Sequence, residues 1–214
     1  MKKIILLFII IQTLGTETSV AQTSENAKKL LDEVSKTISK YENFTFDFSY
    51  VLENRQENIR QETNGSITVS EDKYKLNYLG AEQLFDGQKT YTIVPENQEI
   101  TISTPEEGED FGINPTKLLN FYKSGYDYQW DIKQNVLGRS IQFIKLIPSE
   151  EKQDVKYLLL GIDVVKKSIY RLIEIGSNGT KTTLTLSNES INVVLKDDFF
   201  TFNTKKYPDF YINK

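Results

Sequence analysis

The chain has 214 residues, 26 Lys and Arg against 30 Asp and Glu, and neither histidine nor cysteine. Without cysteine there is no disulfide, no thiolate nucleophile and no cysteine-bound metal or cluster. Without histidine there is no imidazole base, hence no Ser-His-Asp triad and no histidine-ligated zinc. A net charge of −4 offers no basic face for nucleic acid, whose phosphates demand one.

The first residues follow the order of a secretory signal peptide. Lys2 and Lys3 form a short positive region, Ile4 to Ile11 is an unbroken apolar run, and Ser19-Val20-Ala21 is a small-x-small cleavage site. The apolar run is too short for a membrane span, which needs ~20 such residues. The expected organisation is a signal peptide over residues 1–21 and one domain over residues 22–214. The cleavage region holds no cysteine to acylate, so no lipid anchor is expected on the chain itself.

Next, Ser24 caps a predicted helix from Glu25 to about Lys40. Ala27, Leu30, Leu31, Val34, Ile38 and Tyr41 fall at three- and four-residue spacing on one stripe. The period then changes to two. Phe44, Phe46, Phe48, Tyr50 and Leu52 alternate with polar residues, which predicts a strand with one aromatic face. Strands are predicted over 57–69, 73–79, 89–94 and 99–103, with turns at Asp86-Gly87 and Pro95-Glu96-Asn97. Tyr74, Leu76 and Tyr78 share one face, as do Tyr91 with Ile93 and Ile100 with Ile102.

An acidic loop, Thr104 to Asn114, interrupts this meander. Its Glu106, Glu107, Glu109 and Asp110 lack the D-x-D-x-D-G spacing of a calcium loop and read as a solvated face. Asn114-Pro115 then reads as a cap and first-turn proline. A short helix is predicted from Pro115 to about Lys123, with Leu118, Leu119 and Tyr122 inward. Strands resume over 126–134, 140–147, 155–164, 169–175 and 180–187, with turns at Leu137-Gly138 and Ser177-Asn178-Gly179. Residues 197–214 form an aromatic-rich tail.

The predicted fold is mainly β: an incomplete antiparallel barrel, a strongly curved sheet of about ten strands. Two helices cannot wrap such a sheet, but they can lid its open face. A sheet lined by rings under a helical lid suits an apolar ligand. The residues expected to line that cavity are Phe46, Phe48, Tyr50, Leu76, Tyr78, Tyr91, Ile93, Ile100, Ile102, Leu118, Leu119, Tyr122, Trp130 and Phe143. Seen alone, alternating aromatics mean only a packed β core.

The order of amphipathic helix, F-x-F-x-F strand, Asp86-Gly87 turn and Tyr91 strand resembles the periplasmic outer-membrane lipoprotein carriers, the LolA-like proteins. The resemblance continues through the Pro115–Tyr122 helix and Tyr128-x-x-x-Ile132-Lys133-Gln134-Asn135 to Phe200-x-Phe202. It implies a half-open barrel under a helical lid that carries lipoprotein acyl chains through the periplasm. An inner-membrane lipoprotein-releasing transporter would be the donor and an outer-membrane protein the acceptor. It implies no catalytic residue, cofactor or metal, no nucleic acid, and a monomer. Many family members carry a basic-Pro pair whose arginine holds the lid. Here Ser70-Glu71-Asp72-Lys73-Tyr74-Lys75-Leu76 has no such pair, which leaves Arg55, Arg60 or Arg139 for that contact. The alternatives are a same-fold lipid-binding or envelope-stress sensor and a hydrolase of envelope glycans using two carboxylates.

Overall fold

The structure is a computed structural model that describes residues 17–104, 121–150 and 154–213, with side chains from Ser24 onward. Most of the signal segment, the acidic residues 106–110, and Leu118 and Leu119 lie outside the described residues. Of the predicted mid-chain helix, the described part is one 3₁₀ turn, Phe121–Lys123.

Helix α1 runs from Glu17 to Ile38 and so begins well before the predicted cap at Ser24. Glu17, Ala21 and Gln22 are themselves helix formers, and Ser24 is overrun as an interior residue. Twelve strands follow: β1 Phe44–Asn54, β2 Ile59–Ser70, β3 Lys73–Tyr78, β4 Ala81–Phe85, β5 Thr90–Val94 and β6 Glu99–Ser103 in the first half. The second half holds β7 Tyr126–Val136, β8 Arg139–Pro148, β9 Val155–Asp163, β10 Ser168–Gly176, β11 Lys181–Ile191 and β12 Tyr211–Asn213. They form one curved, unclosed sheet in the order β12-β6-β5-β4-β3-β2-β1-β11-β10-β9-β8-β7. Sequential hairpins build each half, and the long-range antiparallel pair β1–β11 welds the halves together.

Two strands depart from expectation. Leu79 and Gly80 both have positive φ (50° and 75°), so the chain reverses there in a tight hairpin and β4 forms. The turn signal at Asp86-Gly87 is the stronger one in the sequence, and Leu79-Gly80 carries no Asn-Gly or Asp-Gly signature that predicts a hairpin. The second is β12, a short strand from the tail that pairs parallel to β6.

The apolar stripe of α1 packs on the β7–β10 half of the sheet. Ala27, Leu30, Leu31 and Val34 meet Ile144 and Leu146 of β8 and Leu158, Leu160 and Ile162 of β9, with Tyr122 beside them. All are nearly inaccessible to solvent, so this is the main core. Each such side chain contributes about 1.5–3 kcal/mol of transfer free energy. A second cluster, Phe44, Phe46, Ile67, Val69 and Tyr74, continues across β1–β3.

Candidate ligand-binding face

Strand register decides which side chains share the helix side of the sheet. Across β8, β9, β10 and β11 the row Ile144, Leu160, Leu172 and Leu184 is continuous, and Leu184 lies opposite Tyr50 of β1. Leu186 lies opposite Phe48 in the same way. From β1 the row passes through Phe46 and Ile67 to Leu76, and through Phe48 and Gly65 to Tyr78. Helix α1 covers only the β7–β10 end of this face. The remainder is a floor of Phe48, Tyr50, Leu52, Leu184, Leu186 and Leu76, all half-buried, with Leu172 at its border against the α1 core and Tyr78 exposed at 37 %.

Phe46, Phe48, Tyr50, Leu76 and Tyr78 of the predicted cavity therefore lie together on one face. Phe46 is buried in the second core cluster, and Phe48 spreads its ring over Gly65. Tyr122 is buried under α1 rather than on the floor. Trp130 sits at the β7 edge opposite Ile144 and is 39 % exposed. Leu52, Leu184 and Leu186 of the floor, and Leu172 at its border, are outside the predicted lining set. The alternation in Thr183-Leu184-Thr185-Leu186 is readable as a strand, but nothing local joins it to β1.

Five of the expected residues lie on the other face. Leu84 pairs with Tyr91 while Phe85 pairs with Thr90, and Phe85 packs with Tyr74 on the helix side. Tyr91, Ile93, Ile100 and Ile102 therefore point away from α1. There the tail lies against them: Phe202 stacks on Tyr91 and on Tyr207, which meets Phe210. Phe143 is the fifth. It joins Ile141 and Tyr170 in a small outer cluster, where Arg139 and Arg171 lie within cation–π reach of the Tyr170 ring.

The same register removes two of the cations considered for the lid contact. Arg60 bonds Glu53 and Glu62 (2.7 and 2.9 Å), and Arg139 bonds Asp163 (2.9 Å), all on the outer face. Lys75 pairs there with Glu82 at 2.9 Å.

Three carboxyls are held below their ordinary range: Glu33 of α1, through its bond to the Lys167 ammonium at 2.7 Å, and Asp86 and Asp163, which both serve turns. Burial opposes the ionisation of Asp86, but the N–H groups of Lys89 and Gln88 and the hydroxyl of Tyr91 donate to it and prevail. Burial likewise opposes that of Asp163, and Arg139 with the N–H groups of Lys166 and Val165 outweighs it. The centre of the helix-side floor is made of rings and aliphatic groups, and toward the Leu52 end Thr63, Gln61, Thr182 and Glu174 lie in register with them. Such a surface offers non-directional contact to an apolar ligand.

No curated protein is a significant match to the chain. Among solved structures, an uncharacterized conserved protein from Thermus thermophilus is similar at 12 % identity and a TM-score of 0.55, covering 87 % of this chain and 98 % of that one. LprF from Mycobacterium bovis is similar at 12 % identity and 0.48, covering 82 % and 98 %. The LolA superfamily protein NE2245 from Nitrosomonas europaea is similar at 10 % identity and 0.43, covering 82 % and 97 %. Residues 17–175 match the family described as outer membrane lipoprotein carrier protein LolA, and the chain belongs to that family.

Proposed function

We propose that this protein is a periplasmic carrier that holds the acyl chains of lipoproteins against its helix-side floor and passes them from the inner to the outer membrane. Family membership supports the reading. The observation that carries it is the unfilled floor: Tyr50, Leu52, Leu184 and Leu186 share the face of α1 yet stay half-buried, because the helix covers only the other half. Each methylene kept from water there is worth ~0.8 kcal/mol, so acyl chains cross an aqueous space only when shielded.

Carriage needs no catalytic group and no cofactor, only an affinity between those of donor and acceptor. The donor is an inner-membrane lipoprotein-releasing transporter and the acceptor an outer-membrane protein. Export follows cleavage after Ala21, which leaves Gln22 as the first residue of one monomeric domain and shortens α1 by its first five residues.

The test is organic extraction of the natively purified protein followed by mass spectrometry, together with transfer of an acylated peptide between vesicles. Co-purifying acyl lipid, and transfer that Leu184→Glu abolishes in a folded protein, are the expected results. Binding without transfer would leave a lipid-binding protein and reject the carrier. An unchanged affinity for acylated peptide in Leu184→Glu would reject the floor.

A further inference from the structure

Two adjacent hairpins at one end of the sheet hold apolar side chains out in solvent. Leu137, at the β7–β8 tip, is 96 % exposed, and Val165, at the β9–β10 tip, is 80 % exposed. Because β8 pairs with β9, the tips stand side by side, and the Val164 N–H donates to the Ser140 carbonyl at 3.1 Å between them. The Asp163 carboxylate fixes both, accepting from the Val165 and Lys166 N–H groups and from Arg139. The two side chains are therefore presented in a fixed relation to each other.

Neither residue suits its turn. Leu137 has φ 51°, a left-handed conformation that crowds any side chain with a Cβ, and Gly138 follows with φ 80°. Such a two-residue turn favours Asn-Gly, whose asparagine tolerates the backbone and hydrates well. Val165 is β-branched, and branched side chains favour strands over turns. Local conformation and solvation both argue for polar residues at these tips, so neither accounts for the apolar ones.

Cations gather around the tips. Lys166 is exposed beside Val165, and Lys36 and Lys40 are exposed at the end of α1, which the 2.7 Å bond from Lys167 to Glu33 brings against this hairpin. With Arg139 and Lys167 they make five cations against Glu33 and Asp163, and both of those carboxylates are paired. The chain as a whole is net −4, so this corner is charged against the trend. Leu79 and Val194 are also well exposed but lack such surroundings. Asn77 and Glu82 face each other across the Leu79 hairpin. Val194 stands between Glu42, whose N–H donates to Asn192, and Lys196-Asp197-Asp198.

A bilayer fits this corner better than a protein does. A protein partner needs a broad complementary surface. Here two projecting side chains are ringed by long flexible cations. A headgroup layer admits protruding apolar groups while lysines reach lipid phosphates around them.

We infer that this corner docks reversibly on anionic phospholipid, with Leu137 and Val165 entering the headgroup boundary and Lys36, Lys40 and Lys166 against lipid phosphates. The contact uses no floor residue, so it stands or falls independently of acyl-chain carriage.

Co-sedimentation of the purified protein with phosphatidylcholine vesicles, with and without phosphatidylglycerol, tests this. Binding should require the anionic lipid and fall as salt rises. Leu137→Asn should weaken it about fivefold or more, through the lost apolar contact. Asparagine suits the turn, so that variant should unfold no earlier than the parent, which separates lost binding from lost folding. Val165→Ser and Lys166→Gln should each weaken binding about fivefold. Val194→Ser and Leu184→Glu should leave it unchanged. No binding to either vesicle overturns the assignment and leaves the tips to a protein partner. Equal binding to both compositions, or parent-like binding by the Leu137→Asn, Val165→Ser double variant, overturns it as well.

Discussion

Phe202 lies stacked on Tyr91, ring centroids 4.3 Å apart and planes 16° from parallel, on the face of the sheet turned away from α1. The Tyr91 hydroxyl donates to Asp86 at 3.0 Å, so one ring ties the C-terminal tail to the β4–β5 turn. The tail is thus an outer cover for β4–β6, where Ile93 and Ile100 are 2 % and 0 % exposed. Phe202→Ala should cost about 2 kcal/mol in urea unfolding, since the ring is half-buried and loses an aromatic pair. Amide exchange should rise over residues 198–213, while affinity for acylated peptide stays as in the parent. A loss of acyl binding in this variant would place the tail in the ligand site.

The Phe48 ring rests on Gly65, where a Cβ would collide with both that ring and the Asn77 carbonyl oxygen. Gly65→Ala should destabilise the protein by about 1–3 kcal/mol, the range for overpacking a filled site. Adding Phe48→Leu should recover only part of the loss, because it frees the ring contact but not the backbone one. Full recovery in the double variant, measured by chemical denaturation, would show that the carbonyl contact carries no strain.

Tyr122→Phe should raise stability by about 1 kcal/mol through removal of an unsatisfied buried hydroxyl. In the parent, the folded phenol titrates higher than the unfolded one. Its contribution is therefore intact below about pH 10 and is lost as pH rises toward 12. Tyr122→Phe should remove this part of the alkaline loss, followed by phenolate absorbance during unfolding.

Acid acts through Asp86 and Asp163, whose folded carboxyls titrate below their unfolded values. Their contribution is present above about pH 4 and disappears as pH falls through the lower folded values. With no histidine in the chain, no side chain of ordinary pKa titrates between about pH 5 and 8. Thermal midpoints should accordingly be flat across that interval and fall below it. Asp163→Asn should lower the midpoint at neutral pH and flatten the acid slope; an unchanged slope would mean that its bonds to Arg139 and the turn contribute nothing to stability.

Much of the local structure is dictated by the sequence itself. The stripe Ala27, Leu30, Leu31, Val34 buries as a helix face because its spacing matches the helical turn. Phe44, Phe46 and Phe48 share a side because strand side chains alternate. Glycine at 87, 138 and 179 supplies the positive φ of three turns between strands. The absence of histidine and cysteine bounds the chemistry before any fold is considered.

Which side each alternating strand presents to the helix was a tertiary decision. A period of two defines two faces and does not say which is inward. The unpredicted hairpin at Leu79-Gly80 inserted β4, and its register sent Tyr91, Ile93, Ile100 and Ile102 outward to meet the tail. Pairing of β1 with β11 set Leu184 and Leu186 beside Tyr50 and Phe48, a relation between segments too distant in the chain for any local pattern to record. Local steric preferences act over a few residues and are legible in sequence; strand register is fixed by the packing of both faces at once, and only the folded sheet resolves it.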